Sequence, residues 1–188
     1  MLIMIYHYLV KIGKKVMKEY ISKEEKQELE NLYQTYLNDP KVKRMQDIRI
    51  HRGSNCYIHC FKVAKLAIKR AIKRKKKLDL KAILVGAILH DYYLYDWRTN
   101  KKLKKKHAKN HPKIAAANAR KDFNISPLVN DIILTHMWPY NFKMFPKTTE
   151  ARIVMNADNH IATKEALTSI KYKSKRIDKY MDYIKSLF

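Results

Sequence analysis

Glycine occurs only three times in these 188 residues, proline five times and cysteine twice, and the 17 acidic residues are outnumbered by 41 lysines and arginines. So few glycines and prolines leave little material for the tight turns of a sheet-rich fold. Apolar residues recur at helical rather than alternating spacing, which predicts an all-α fold. Cys56 and Cys60 lie four apart, a spacing that shares a helix face without the geometry of a disulfide, so they read as reduced, buried thiols. No stretch approaches the roughly 20 apolar residues of a membrane span. The apolar opening from Met1 to Val10 is about half that length, and it lacks the basic start and small-residue cleavage site of an export signal. The expectation is a soluble cytoplasmic protein with no membrane span.

The shortage of acid leaves a formal charge of +24. Such an excess attracts phosphate whatever the base sequence, so a nucleic-acid partner fits it. An AT-rich genome placing lysine at tolerant surface positions fits it equally, and both readings stay open.

Helix signals run the length of the chain. Ser22 and Glu25 form a capping-box pattern that opens a helix through Leu29, Leu32, Tyr33, Tyr36 and Leu37, closing near Asp39-Pro40. A short helical stretch follows around Val42 to Ile48, then a turn at His51-Arg52-Gly53. Ser54 caps a long helix to about Arg74 with Cys56, His59, Cys60, Val63, Ala67 and Ala71 inward. Asp79 caps the next, whose stripe is Leu80, Ile83, Leu84, Ala87 and Asp91. From Tyr92 to Lys106 the period is lost, and the six lysines between positions 101 and 109 read as part of a long exposed loop. His111-Pro112 and Ser126-Pro127 look like helix starts. The second of these helices carries Leu128, Val129, Ile132, Ile133 and His136. A helix from about Glu150 carries Val154, Ala157, Asp158 and Ile161, and a separate final helix begins at about Lys173. There is no internal repeat.

Several side chains in these inward stripes are of the wrong chemistry for a core. His59, His90, Asp91, His136 and Asp158 fall in register with apolar residues on separate helices, and an unpartnered buried carboxylate costs several kcal/mol. Each histidine alone reads as a hydrogen-bonded core imidazole. As a set that includes His111, they make a mixed nitrogen and oxygen donor group of the kind that suits Mn, Fe, Zn or Ni rather than Ca.

The order His59, then His90-Asp91, then Asp158 resembles the HD-domain superfamily of metal-dependent phosphohydrolases, over about Gln46 to Glu165. His51-Arg52-Gly53-Ser54 with Tyr57 and His59-Cys60, and Leu89-His90-Asp91 with Leu94-Tyr95-Asp96-Trp97, are similar to two blocks of a bacterial subgroup. His107, His111-Pro112, His136-Met137-Trp138-Pro139 and Ala157-Asp158 follow in order, and the extra histidines resemble the binuclear branch. The resemblance implies a single-domain helical bundle over residues 46–188, with residues 1–45 as an N-terminal helical extension packed on it.

It also implies two divalent ions, one held by His59, His90, Asp91 and Asp158, the other by His111 and His136 with Asp91 as the bridge. Asp91, His111 and His136 would then be the catalytic residues. The chemistry implied is attack of a metal-activated hydroxide on the phosphorus of a small, nucleotide-like phosphomonoester, phosphodiester or pyrophosphate. Arg52 and Lys62 are candidates to hold phosphate oxygens, Tyr95 and Trp97 to stack on a base, and His107 to face the substrate or support a ligand. The alternatives are a nucleic-acid binder or nuclease that uses the same metals, and a non-catalytic metal-binding module.

Overall fold

A computed structural model describes residues 21–50 and 54–185 of the chain. The Met1–Val10 run and Arg52 lie outside the described residues. Seven helices follow in order: α1 (Lys23–Asn38), α2 (Pro40–Lys43), α3 (Cys56–Lys73), α4 (Leu80–Leu89), α5 (Lys101–Phe123), α6 (Pro127–Thr135) and α7 (Thr149–Lys185). Among the described residues the only β pairing is an isolated bridge between Arg49 and Asn55, so the fold is all-α.

The Ser22 capping box forms as the sequence predicts, with the Ser22 hydroxyl accepting from the Glu25 N–H and the Glu25 carboxylate accepting from the Ser22 N–H. One residue differs at the next long helix. Asn55, not Ser54, caps α3, its side-chain oxygen accepting from the Ile58 N–H at 2.9 Å. Asparagine caps at least as well as serine, and Ser54 is left free to bond elsewhere.

The lysine-rich end of the stretch expected as a loop is helix, while residues 92–100 before it are irregular apart from one short 3-10 turn. Asn100 accepts from the N–H groups of Lys102 and Leu103 and opens α5, which runs through the whole lysine cluster. Lysine is a good helix former, so charge density there reports solvent exposure and not a missing helix. Pro112 consequently lies inside α5 and not at its start. The proline lacks the N–H that would bond the Ala108 carbonyl. Neighbouring carbonyls find side chains, with His107 O accepting from His111 Nδ1 and Lys109 O from Asn141 Nδ2. The separate helix expected from Lys173 is instead the continuation of α7, because no glycine or proline follows Pro146 to break it.

Helix α4 is the centre of the bundle. Ala82 through Leu89 are all buried, wider than the single stripe expected, because α3, α6 and α7 pack against it and α1 lies alongside. Helices α3 and α7 also pack together, as do α5 and α6. Leu29, Leu32, Tyr33, Tyr36 and Leu37 of α1 rest on this core half-buried. The arrangement points the C-terminal ends of α4 and α6, the first turn of α3 and interior turns of α5 and α7 at one interior spot. No helix among the described residues is long and apolar enough to cross a membrane.

Candidate metal centre

Five helices deliver six ionisable side chains to that spot. His59 comes from α3, His111 from α5 and Asp158 from α7, while His90 and His136 each follow the last residue of their helix. His59, His90, His111, His136 and Asp158 are buried, and the Asp91 side chain is 14% exposed. His59 Nε2 stands 3.0 Å from Asp158 Oδ1, and His90 Nε2 is 3.6 Å from both Asp158 Oδ1 and Asp91 Oδ2. Asp91 Oδ1 faces the other way, 3.2 Å from His111 Nε2 and 3.6 Å from His136 Nε2. The structure thus brings together all six residues that the sequence picked out, with Asp91 between the two groups.

The tautomers follow from the partners of the outer nitrogens. His90 Nδ1 lies 2.8 Å from the Ala87 carbonyl, His136 Nδ1 2.7 Å from the Ile133 carbonyl, and His111 Nδ1 3.0 Å from the His107 carbonyl. A carbonyl oxygen can only accept, so each Nδ1 carries a hydrogen and the neutral form of each ring would turn a bare Nε2 inward. The Nε2 atoms of His111 and His136 are 3.0 Å apart. Two lone pairs at that distance repel unless a proton or a cation lies between or beside them. His90 Nε2 and Asp91 Oδ1 are moreover buried with no hydrogen-bond partner among the described residues. Inward lone pairs and orphaned acceptors, with backbone carbonyls orienting three of the four rings from behind, are what imidazole and carboxylate ligands to a cation require. Among the described residues, four triads of donor atoms close enough to share one ion include His59-His90-Asp91 and Asp91-His111-His136.

The electrostatics of the cluster's own side chains express the same demand for positive charge. Burial alone would raise the carboxyl of Asp158, yet the nearby His90 and the hydrogen bond from His59 hold it well below the carboxylate range. Burial likewise opposes charge on His90, but the thiol of Cys60 and the carboxylates of Asp91 and Asp158 raise it. His136 goes the other way, down to about 3, because burial is reinforced by His90 and His111. Protons collect beside the carboxylates and are kept off the His136 ring.

Glu165 belongs to the site although nothing singled it out in the sequence. It lies seven residues, or two helical turns, after Asp158 on α7, so the same face of the helix presents both. Its Oε2 is 3.0 Å from His59 Nδ1, and its Oε1 accepts from Lys62 Nζ at 2.7 Å and from the Ser54 hydroxyl at 3.2 Å. The i, i+7 spacing was the available signal. Lys62 is therefore tied to Glu165, behind His59.

The aromatic candidates gather at one edge. His107 is stacked between Trp97, at 4.9 Å between ring centroids, and His111, at 4.6 Å, and shares a 2.9 Å hydrogen bond with the Tyr95 hydroxyl. Burial and the neighbouring His111 lower His107 to about 4, so it is neutral at pH 7. Tyr92 and Tyr93 are core residues, Tyr92 bonding Asp122 at 2.9 Å. Cys56 and Cys60 are free and buried. Cys56 donates its S–H to the Asp91 carbonyl at 3.2 Å, and burial pushes both thiols up, so they stay protonated.

A family model described as HD domain matches residues 56–163, more than half of the chain. Neither the curated proteins nor the solved structures contain a significant match.

Proposed function

The chain belongs to the HD domain family, and on that premise we propose that it is a metal-dependent phosphohydrolase acting on a small, nucleotide-like phosphate ester or anhydride. The observation that carries the reading is the pair of inward Nε2 atoms on His111 and His136, 3.0 Å apart with both Nδ1 hydrogens committed to backbone carbonyls. In this reading His59, His90, Asp91 and Asp158 hold one divalent ion, and Asp91, His111 and His136 hold a second of the Mn, Fe, Zn or Ni type. Divalent ions there would lower the pKa of a water molecule and offset charge on the phosphoryl oxygens.

The protein's own groups then have separable tasks. Asp91 presents one oxygen to each half of the cluster, which fixes the spacing of the two halves. Glu165 accepts the Nδ1 hydrogen of His59 and keeps that ring's Nε2 turned inward. His107, neutral and clamped between Trp97 and His111 with the Tyr95 hydroxyl on its edge, braces the His111 ring from the side away from the cations.

The test is a screen of mono-, di- and cyclic nucleotides with the purified chain loaded with Mn²⁺, Zn²⁺ or Ni²⁺, with product identification. Release of phosphate or of a nucleotide product that vanishes in Asp91→Asn supports the reading. Turnover undiminished in that variant, or bound metal without turnover of any phosphate compound, overturns it, the second outcome in favour of a non-catalytic metal-binding module.

A further inference from the structure

Outside the metal centre, two unusual surfaces lie next to each other. The first is the N-terminal half of α5, where Lys101, Lys102, Lys104, Lys105, Lys106 and Lys109 are all exposed. Among the described residues no carboxylate lies within 4.0 Å of any of these ammonium groups, in contrast to Lys62 and Lys81, which are paired. The second is the segment between α6 and α7, where Tyr140 is 70% exposed, Phe142 72% and Phe145 47%. Trp138 packs edge-on against Phe145 at the base of this segment, and the Lys143 ammonium lies 6.0 Å from the Phe142 ring. The two surfaces touch, since Asn141, between the two most exposed rings, donates to the Lys109 carbonyl on α5.

A cavity of about 190 Å³ opens on the same helix, with Tyr95, Leu103 and Ile114 supplying apolar wall and Lys102, Lys106 and Asn110 polar edge. His107 also lines it, and that ring stacks on His111 of the metal centre.

We propose that this combined surface binds single-stranded polynucleotide. Exposed lysines by themselves are ordinary solvated charge, and exposed rings by themselves would suit any apolar partner. Their adjacency selects a ligand that carries anionic and flat aromatic groups along one chain. A duplex offers the phosphates but keeps the base faces stacked inside, and an acidic peptide lacks the repeated flat faces. In a single strand the bases are free to lie on Tyr140 and Phe142 and one can enter the cavity, while α5 lysines meet the phosphates. The cavity's contact with His107 directs such a strand towards the metal centre. This binding is a property of the surface and does not depend on turnover.

Fluorescence anisotropy on the full chain tests it, using labelled single-stranded RNA and single-stranded DNA of mixed sequence, the corresponding duplex, and inorganic polyphosphate as an anion without bases. Both single strands are expected to bind more tightly than duplex or polyphosphate, and a preference for one sugar leaves the proposal standing. Tyr140→Ser with Phe142→Ser, at exposed positions that the fold does not need, should weaken single-strand binding about tenfold or more and leave thermal unfolding unchanged. Lys105→Gln, Lys106→Gln and Lys109→Gln together should reduce the log–log salt slope by about 2, since each phosphate contact on a single strand contributes about 0.7. Equal binding of polyphosphate, or single-strand binding untouched by the aromatic variant, overturns the proposal in favour of bare charge attraction. A change in sedimentation on aromatic substitution, with strand binding intact, overturns it in favour of contact between copies of the chain.

Discussion

Gly86 lies directly beneath Ile132 where α4 crosses α6. A Cβ built on Gly86 would stand 2.6 Å from Ile132 Cγ2 and 3.0 Å from its Cβ. The close approach matters beyond packing, because His90 and His136 sit at the C-terminal ends of these two helices with ring centroids 4.8 Å apart. Gly86→Ala should therefore destabilise the fold by about 1–3 kcal/mol, the usual range for overpacking against a stiff β-branched neighbour. Combined with Ile132→Ala the loss should be smaller than the sum of the two single losses, a coupling that urea denaturation of the four proteins measures. Strict additivity would mean that the helices separate freely at this point.

Metal removal should lower stability, because ions bind the assembled cluster and not its scattered ligands in the unfolded chain. Saturation at 100 times the dissociation constant corresponds to about 2.7 kcal/mol. Calorimetric unfolding with added Mn²⁺ or Zn²⁺, and again after chelation, reads this directly. Asp91→Asn should abolish most of the metal-dependent rise in Tm, and a rise equal to that of the unsubstituted chain would show that Asp91 is not shared between the two halves.

Glu165→Gln should leave the helices intact and reduce metal affinity about 10- to 100-fold, the range observed when a group behind a ligating histidine is removed. The direction follows from charge. Although burial would raise it, the hydrogen bonds from His59 and Lys62 lower Glu165 to about 2, so at neutral pH it is an anion that makes the His59 ring a better donor. Titration with Zn²⁺ followed by competition with a chelator measures the shift, and an unchanged affinity would reduce Glu165 to a surface partner of Lys62.

Alkaline pH should expose the anchoring of α1. Burial, then the neighbouring Tyr57 and Glu30, raise Tyr33 from 10.0 to about 12, and its ring packs edge-on against Phe61 of α3 at 5.3 Å. A group whose folded pKa is raised stabilises fully below its unfolded value and loses that contribution as pH climbs through the folded value. Stability should therefore hold up to about pH 10 and decline towards pH 12, and Tyr33→Phe should flatten that part of the decline in pH-dependent chemical denaturation. The same slope in the variant would assign the decline to other phenols.

The helical character of the chain, its main helices and five of the six inward ionisable residues were legible from periodicity and capping residues, while His111 joined them through the family resemblance. His59, His90, Asp91, His136 and Asp158 each stood in register with apolar neighbours, and burial of a polar side chain in a core demands a partner whatever the fold. Local rules misled where two of them competed. Pro112 looked like a first-turn proline, but the Asn100 cap and the helix-forming lysines carried α5 past it, with its neighbours' carbonyls taken up by side chains. The break expected near Lys173 had no glycine or proline to cause it.

Amino-acid order alone determined which face of its own helix each ligand-type side chain occupies, because that depends only on the 3.6-residue turn. Tertiary structure decided that His111 and His136 confront each other across Asp91, that Glu165 stands behind His59, and that the Tyr140–Phe145 segment lies against the lysines of α5. Those distances depend on how closely helices approach, which is governed by contacts such as Gly86 against Ile132 between residues far apart in the chain.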